Sequence, residues 1–181
     1  MNNPFLKFKK QDYIIWIISI LVIIISNIIP GNIDILTLIA SLIGVTSLLF
    51  AAKGNVWAQI LMIIFSILYG IISYRFRYFG EMITYLGMTL PMSVWSLITW
   101  IKNQSEDEGI VDIRKMTFSL WIKTFFSTII VTGLFYFILK YLNTPNIVFS
   151  TISIATSFLA AALMMLRTSF FAAAYASNDV V

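Results

Sequence analysis

The polar and aromatic side chains of this sequence concentrate in one stretch. It reads Gly54-Asn55-Val56-Trp57-Ala58-Gln59, then Tyr69-Gly70-Ile71-Ile72-Ser73-Tyr74, then Tyr78-Phe79-Gly80-Glu81 and Tyr85, and it closes with Pro91-Met92-Ser93-Val94-Trp95 and Trp100. Rings beside a few hydrogen-bonding groups suit a flat heterocyclic ligand. The rings supply stacking contact, while tyrosine hydroxyls, Gln59 and Ser93 can bond ring substituents or a ribose. Other chemistries have no residues to run on. With no Cys and no His in the chain, thiolate nucleophiles, His-based triads and the commonest metal ligand are gone. Glycine-rich phosphate loops are missing too. No catalytic residue, metal ligand or cofactor is expected.

The elements that must position these groups are membrane helices. Hydrophobic residues make up 60% of the 181 positions and charged residues 11%, against roughly 45–50% and about 25% in a soluble domain. A chain this short cannot enclose so much apolar surface, which excludes a soluble globular enzyme. Apolar segments run from about Tyr13 to Ile29, Ile33 to Ala52, Val56 to Tyr74, Phe79 to Ile101 (with Pro91 inside), Leu120 to Tyr141 and Ile147 to Leu166. Each approaches the roughly 20 residues that a spanning helix needs. Unbroken Ile and Leu runs without alternation exclude a barrel. The turn Pro30-Gly31-Asn32 follows the first segment where a signal peptide would carry a cleavage site, so that segment reads as a helix. A seventh segment, from Phe170 to Val181, has 12 residues, about 18 Å as a helix. That is short of the hydrocarbon core of about 30 Å. The natural protein is therefore expected to continue, by roughly 40 residues for the missing spans.

Helix ends complicate the ligand reading. Tyr74, Tyr78 and Trp100 lie near segment ends, where Tyr and Trp anchor helices at the membrane–water interface. Gln59 and Tyr85 read as deeper, and there ligand contact and helix–helix hydrogen bonding stand level. Glu81 opens the fourth segment. It either complements the positive helix end or attracts a cation at the outer mouth. In the last segment Asp179, with Asn178 and Tyr175 beside it, is an intramembrane acid and so a binding-face candidate. Arg167 is expected to snorkel, and Pro91 to mark a kink or a substrate path.

Charge sets the orientation. The side that holds the N-terminus carries Lys7, Lys9, Lys10, Lys53, Lys102, Arg114, Lys115, Lys123 and Arg167; the other carries Arg75, Arg77 and Lys140. The positive-inside rule then places the N-terminus in the cytoplasm, and acidic Glu106-Asp107-Glu108 count little against it. The linker from Lys102 to Lys115 reads as a solvated loop. The basic residues point to loops and lipid head groups, not to nucleic acid. The second and sixth segments run in the same direction, as the first helices of two parallel repeats would.

Gly54-Asn-x-Trp57, Tyr69-Gly70-x-x-Ser73-Tyr74, Tyr78-x-Gly80-Glu81 and Pro91-Met92-x-x-Trp95 with Trp100 resemble the PnuC family of vitamin transporters over roughly Ile33 to Val181. The resemblance implies an all-α membrane fold related to SWEET transporters: two parallel three-helix bundles joined by a linker helix, often in a homotrimer. Residues 1–32 would hold an extra N-terminal helix, 33–101 the first bundle, 102–145 the linker and linker helix, and 146–181 the start of a second bundle that this chain leaves incomplete. It further implies facilitated uptake of a nucleoside-like vitamin across the plasma (inner) membrane, nicotinamide riboside first, with trapping by phosphorylation. Relatives carry thiamine, riboflavin or deoxynucleosides. The family's second bundle carries an Arg, then Glu and two Trp residues, then Asn. Here Arg167 is present, Phe170 to Ala174 fill the acidic and first Trp region, Tyr175 stands near the second Trp, and Asn178-Asp179 near the Asn. The expected substrate-binding set is Gln59, Glu81, Tyr85, Trp95, Tyr175, Asn178 and Asp179. The other readings are a transporter of another class with a sugar-like substrate, and a structural membrane subunit with no substrate.

Overall fold

The computed structural model describes residues 5, 8–31, 33–105 and 110–178. They form α1 (Lys10–Ile28), α2 (Ile35–Ala52), α3 (Trp57–Arg75), α4 (Phe79–Thr84), a π-helical turn (Tyr85–Thr89), α5 (Leu90–Lys102), α6 (Phe118–Tyr141), α7 (Ile147–Met165) and α8 (Phe171–Asn178). Among the described residues six helical runs are long and apolar enough to cross a membrane, with Phe79–Lys102 counted as one. The expected six segments are all present, and the chain is an all-helical, multi-pass membrane protein.

Side-chain caps move some boundaries. α2 begins two residues later than Ile33 because Asp34 caps it: its carboxylate accepts the Leu36 N–H at 3.2 Å and the Thr37 hydroxyl at 2.9 Å, satisfying donors the first turn leaves free. α6 begins earlier than Leu120, at Phe118, because Thr117 Oγ1 accepts the Leu120 N–H. Four helices stop through one device, a left-handed residue that turns its own N–H and the next one back onto the last turn. The left-handed residues are Gly54, Arg77, Asn143 and Arg167. The N–H of the residue after each bonds Phe50, Ser73, Leu139 and Leu163 respectively, at 2.8–3.1 Å.

The fourth span is not the single kinked helix that Pro91 suggests. Pro91 has no N–H for the carbonyl one turn back. The chain accommodates this by widening, and the Leu90 N–H reaches Tyr85 O. One extra residue in the turn separates α4 from α5 and re-aims the side chains around Tyr85.

At the centre stands α3, with α2 packed most extensively along it and α4, the π-turn and α5 covering other faces. α6, α7 and α8 pack in series, and α5 joins α7. That joint corrects the interface reading of Trp100. Its ring is 1% exposed, and Nε1 donates to Met164 O at 2.9 Å. Tyr74 and Tyr78 are exposed near the helix ends, as interface anchors would be. α1 lies chiefly along α2 and buries none of its residues. Two polar contacts tie it to α2 and the turn after it: Trp16 Nε1 donates to Thr46 Oγ1 at 3.1 Å, and Asp12 pairs with Lys53 at 2.7 Å.

Successive spans alternate in direction, so the described cations gather as the sequence suggests: Lys53, Lys102, Arg114 and Arg167 at one end, called the basic end here, and Arg75, Arg77 and Lys140 at the other. The linker departs from the solvated-loop reading. Residues Glu106, Asp107 and Glu108 lie outside the described residues, but Val111 is 5% exposed and packs among Phe50, Ala51, Val56, Trp100 and Met164.

Candidate ligand-binding site

A buried stripe on α3 carries the site. Gln59, Met62, Ser66, Gly70 and Ser73 recur at intervals of three and four, so they share one face of the helix. In a helix that is apolar all round, the polar members of this stripe need partners. Ser66 donates to Met62 O at 2.8 Å, and Ser73 donates to Glu81 Oε2 at 3.4 Å. Gln59 breaks the pattern. It is 1% exposed, yet neither its Oε1 nor its Nε2 has a hydrogen-bond partner, and the buried Nε1 of Trp57 nearby has none either. A buried polar group left unpaired costs about 1–3 kcal/mol. Two donors and an acceptor on the amide suit a carboxamide, a hydroxyl or a ring nitrogen, while the indole, two residues away on the helix, points to a different side.

About 15 Å further along α3, at 1.5 Å per residue, lies an aromatic cluster. The Tyr69 and Tyr85 ring centroids are 4.4 Å apart, and Phe65 packs on both, at 5.4 Å and 5.9 Å. The π-turn brings Tyr85 here, and Gly70 permits the approach: a Cβ on Gly70 would stand 2.6 Å from Leu86. Glu81, exposed in the first turn of α4, borders the cluster. Gln59 sits in the first turn of α3 at the basic end, not deep in the span. The expected residues therefore form two stations along α3, not one cavity at a single depth.

α8 adds less than expected. Tyr175 is half-buried between the Phe50–Trp100–Met164 cluster and the Ala160–Leu163–Ala174 cluster. Asn178 is engaged with α7: its Oδ1 accepts from Thr156 at 2.6 Å and Ser157 at 2.9 Å. Asp179 lies outside the described residues. Trp95 does not join the others. It is 63% exposed, because α5 turns Ser93, Ser96 and Trp100 inward and a helix repeating every 3.6 residues then faces Trp95 outward.

Two charged groups outside the spans are tuned by their surroundings. The Thr37 hydroxyl holds the Asp34 carboxyl below the usual carboxylate range against some desolvation, helped by the Leu36 N–H and by Arg75. Arg167 reaches from the end of α7 to the linker, where its Nη1 donates to Asp112 O at 3.0 Å, and partial burial lowers its proton affinity. Among the described residues no three His, Cys, Asp or Glu side chains gather where a metal could bind.

Residues 34–181 match the family described as "Nicotinamide mononucleotide transporter". The "Nicotinamide riboside transporter PnuC" of Neisseria mucosa (strain ATCC 25996 / DSM 4631 / NCTC 10774 / M26) is 23% identical over 133 residues, 71% of this chain and 51% of that protein. The chain thus spans about half the length of this curated relative. The solved structure "Crystal structure of the Vitamin B3 transporter PnuC" matches with a TM-score of 0.79 at 19% identity, over 96% of this chain and 75% of that one. At that identity the likeness concerns the fold. The family is one of transporters rather than enzymes, and α1 lies outside the matched range. With more than half of its length matched, this chain belongs to the nicotinamide mononucleotide transporter family, in the PnuC group that its motifs resemble.

Proposed function

We propose that the chain takes part in facilitated uptake of a nucleoside-like vitamin, nicotinamide riboside first, across the plasma (inner) membrane. The unpartnered amide of Gln59 carries this reading, because a buried carboxamide with no protein partner is complementary to a polar solute and to nothing else nearby. The solute would meet the two stations in turn: Gln59 would bond its carboxamide or ribose at one, Tyr69 and Tyr85 would stack on its heterocycle at the other, and Glu81, Tyr175 and Asn178 would line the path. No bond is made or broken in this step. Inward flux then depends on phosphorylation of the solute after it crosses.

In the same reading, residues 33–101 (α2, α3 and the α4–α5 span) are a first three-helix bundle of SWEET type and residues 102–145 the linker with its helix α6. Residues 146–181 (α7 and α8) open a second bundle that rocks against the first about the site. The N-terminus lies in the cytoplasm and the working unit is a homotrimer.

Uptake of labelled nicotinamide riboside, in cells lacking a transporter of their own, tests the proposal. Gln59→Ala should cut uptake about tenfold or more, the factor for one lost hydrogen-bonding group of about 1.4 kcal/mol. Trp95→Ala should stay within about twofold, as outward-facing substitutions do. No uptake by the natural chain at full expression would favour a subunit with no substrate, and equal losses in both variants would remove Gln59 from the site. A thermal-shift panel with thiamine, riboflavin and deoxynucleosides distinguishes the solutes, since a bound ligand raises the unfolding temperature.

A further inference from the structure

We propose that residues 110–114 form a strap that holds the basic end shut between two sets of helices, and that it must peel away for that end to open. On one side the strap pairs with the α2–α3 turn: Ile110 stands opposite Asn55 in antiparallel fashion, and the Val111 N–H donates to Gly54 O at 2.9 Å. On the other side it is tied to the α7–α8 turn. The Arg114 N–H donates to Arg167 O at 2.9 Å, and Arg167 Nη1 returns a bond to Asp112 O at 3.0 Å. Between these ties Val111 plugs a cluster drawn from four helices: Phe50 and Ala51 of α2, Ala58 of α3, Trp100 of α5 and Met164 of α7. Separating α2–α3 from α7–α8 at this end therefore breaks the strap at one tie or the other.

The attachment is also light enough to release. A small, partly open recess lies beside it, bordered by Gly54, Trp100, Val111, Arg167 and Phe171, so the strap has room to shift although Val111 itself is buried. Arg167 and Arg114 bring two guanidinium groups to the same crossing, with the Asp112 carboxylate opposing them. Backbone bonds with one valine, and like charges at the joint, describe a clasp that closes and reopens, unlike the extensive packing between α2 and α3.

The consequence for flux rests on the transport reading; the geometry does not, and the two are tested separately. The natural sequence has no cysteine. Asn55→Cys and Ile110→Cys place thiols on directly opposed residues, whose Cβ spacing of about 4.5–5.5 Å is near what a disulfide needs. Oxidising this pair should cut uptake of labelled nicotinamide riboside about tenfold or more, equivalent to about 1.4 kcal/mol. Reductant should restore it, and either single cysteine should be indifferent to oxidant. Full uptake by the cross-linked chain overturns the strap. If the unmodified chain carries nothing, the transport reading has failed and a second measurement decides. Ala51→Cys, buried beneath the strap, should react with a small thiol reagent about tenfold faster when Val111→Ser is added, while Ala160→Cys, buried elsewhere, keeps its rate. No change at residue 51, or an equal rise at both positions, rules the strap out.

Discussion

At residue 59 stability and binding pull in opposite directions. The Gln59 amide is buried without partners, so it weakens the fold by about 1–3 kcal/mol relative to a side chain of like shape with nothing to satisfy. Gln59→Leu fills the same space without that penalty. Thermal unfolding in detergent should show a variant as stable as the natural chain or more so, while the ligand-induced shift with nicotinamide riboside disappears. A loss of stability alongside retained binding would mean that the amide is a structural bond after all. Trp95 and Trp100 teach the matching lesson about legibility. Both rings are equally visible in the sequence, yet the first stands outward on α5 and the second, expected as an interface anchor, is buried. A helix apolar on every face offers no hydrophobic periodicity to say which side is inward. The usable signal was polar and small: Ser93, Ser96 and Trp100 fall at intervals of three and four, and that is the face that packs.

Among the elements, lengths and number were legible because roughly 20 apolar residues between polar breaks admit little else. Local widening and docking were not. Pro91 announced a disturbance in the fourth span, but the π-helical form depends on the Leu90 N–H finding Tyr85 O, a choice settled by packing against α3. The linker looked like solvent-facing loop because its acidic run dominates its composition, whereas Val111 and the backbone around it dock on Gly54. Gly54 serves two needs there. Its φ of +65° ends α2, and a Cβ would stand 2.8 Å from Ile110 Cγ2. Gly54→Ala therefore meets a left-handed penalty of about 1–2 kcal/mol together with the clash. The expected result is a lower unfolding temperature, with accelerated labelling of Ala51→Cys as the strap lifts. If neither changes, the turn is not what secures this end. Asp34 gives the opposite end a pH dependence. A carboxyl held below its unfolded value stabilises the fold above about pH 4, the ordinary carboxylate range, and that contribution fades as pH falls through the depressed value.

For the whole molecule, the distribution of charge between the two ends is the basis of the proposed orientation. Acidic partners trim the field without reversing it: Asp12 faces Lys53 at the basic end, and Asp34 faces Arg75 at the other, at 3.7 Å. The rule that orients membrane proteins counts Lys and Arg in short loops and is nearly blind to acids. The proposed orientation, with the basic end and its strap in the cytoplasm, rests on Lys53, Lys102, Arg114, Lys115 and Arg167 at one end against Arg75, Arg77 and Lys140 at the other. Asn32→Cys and Ser105→Cys, made singly, report the two ends. An impermeant thiol reagent applied to whole cells should reach residue 32 directly and residue 105 only after the membrane is opened. If residue 105 were labelled from outside while residue 32 stayed protected, the orientation would be reversed. The strap would then close the outer mouth, Glu81 and the Tyr69–Tyr85 pair would face the cytoplasm, and the order in which a solute meets the two stations along α3 would reverse as well.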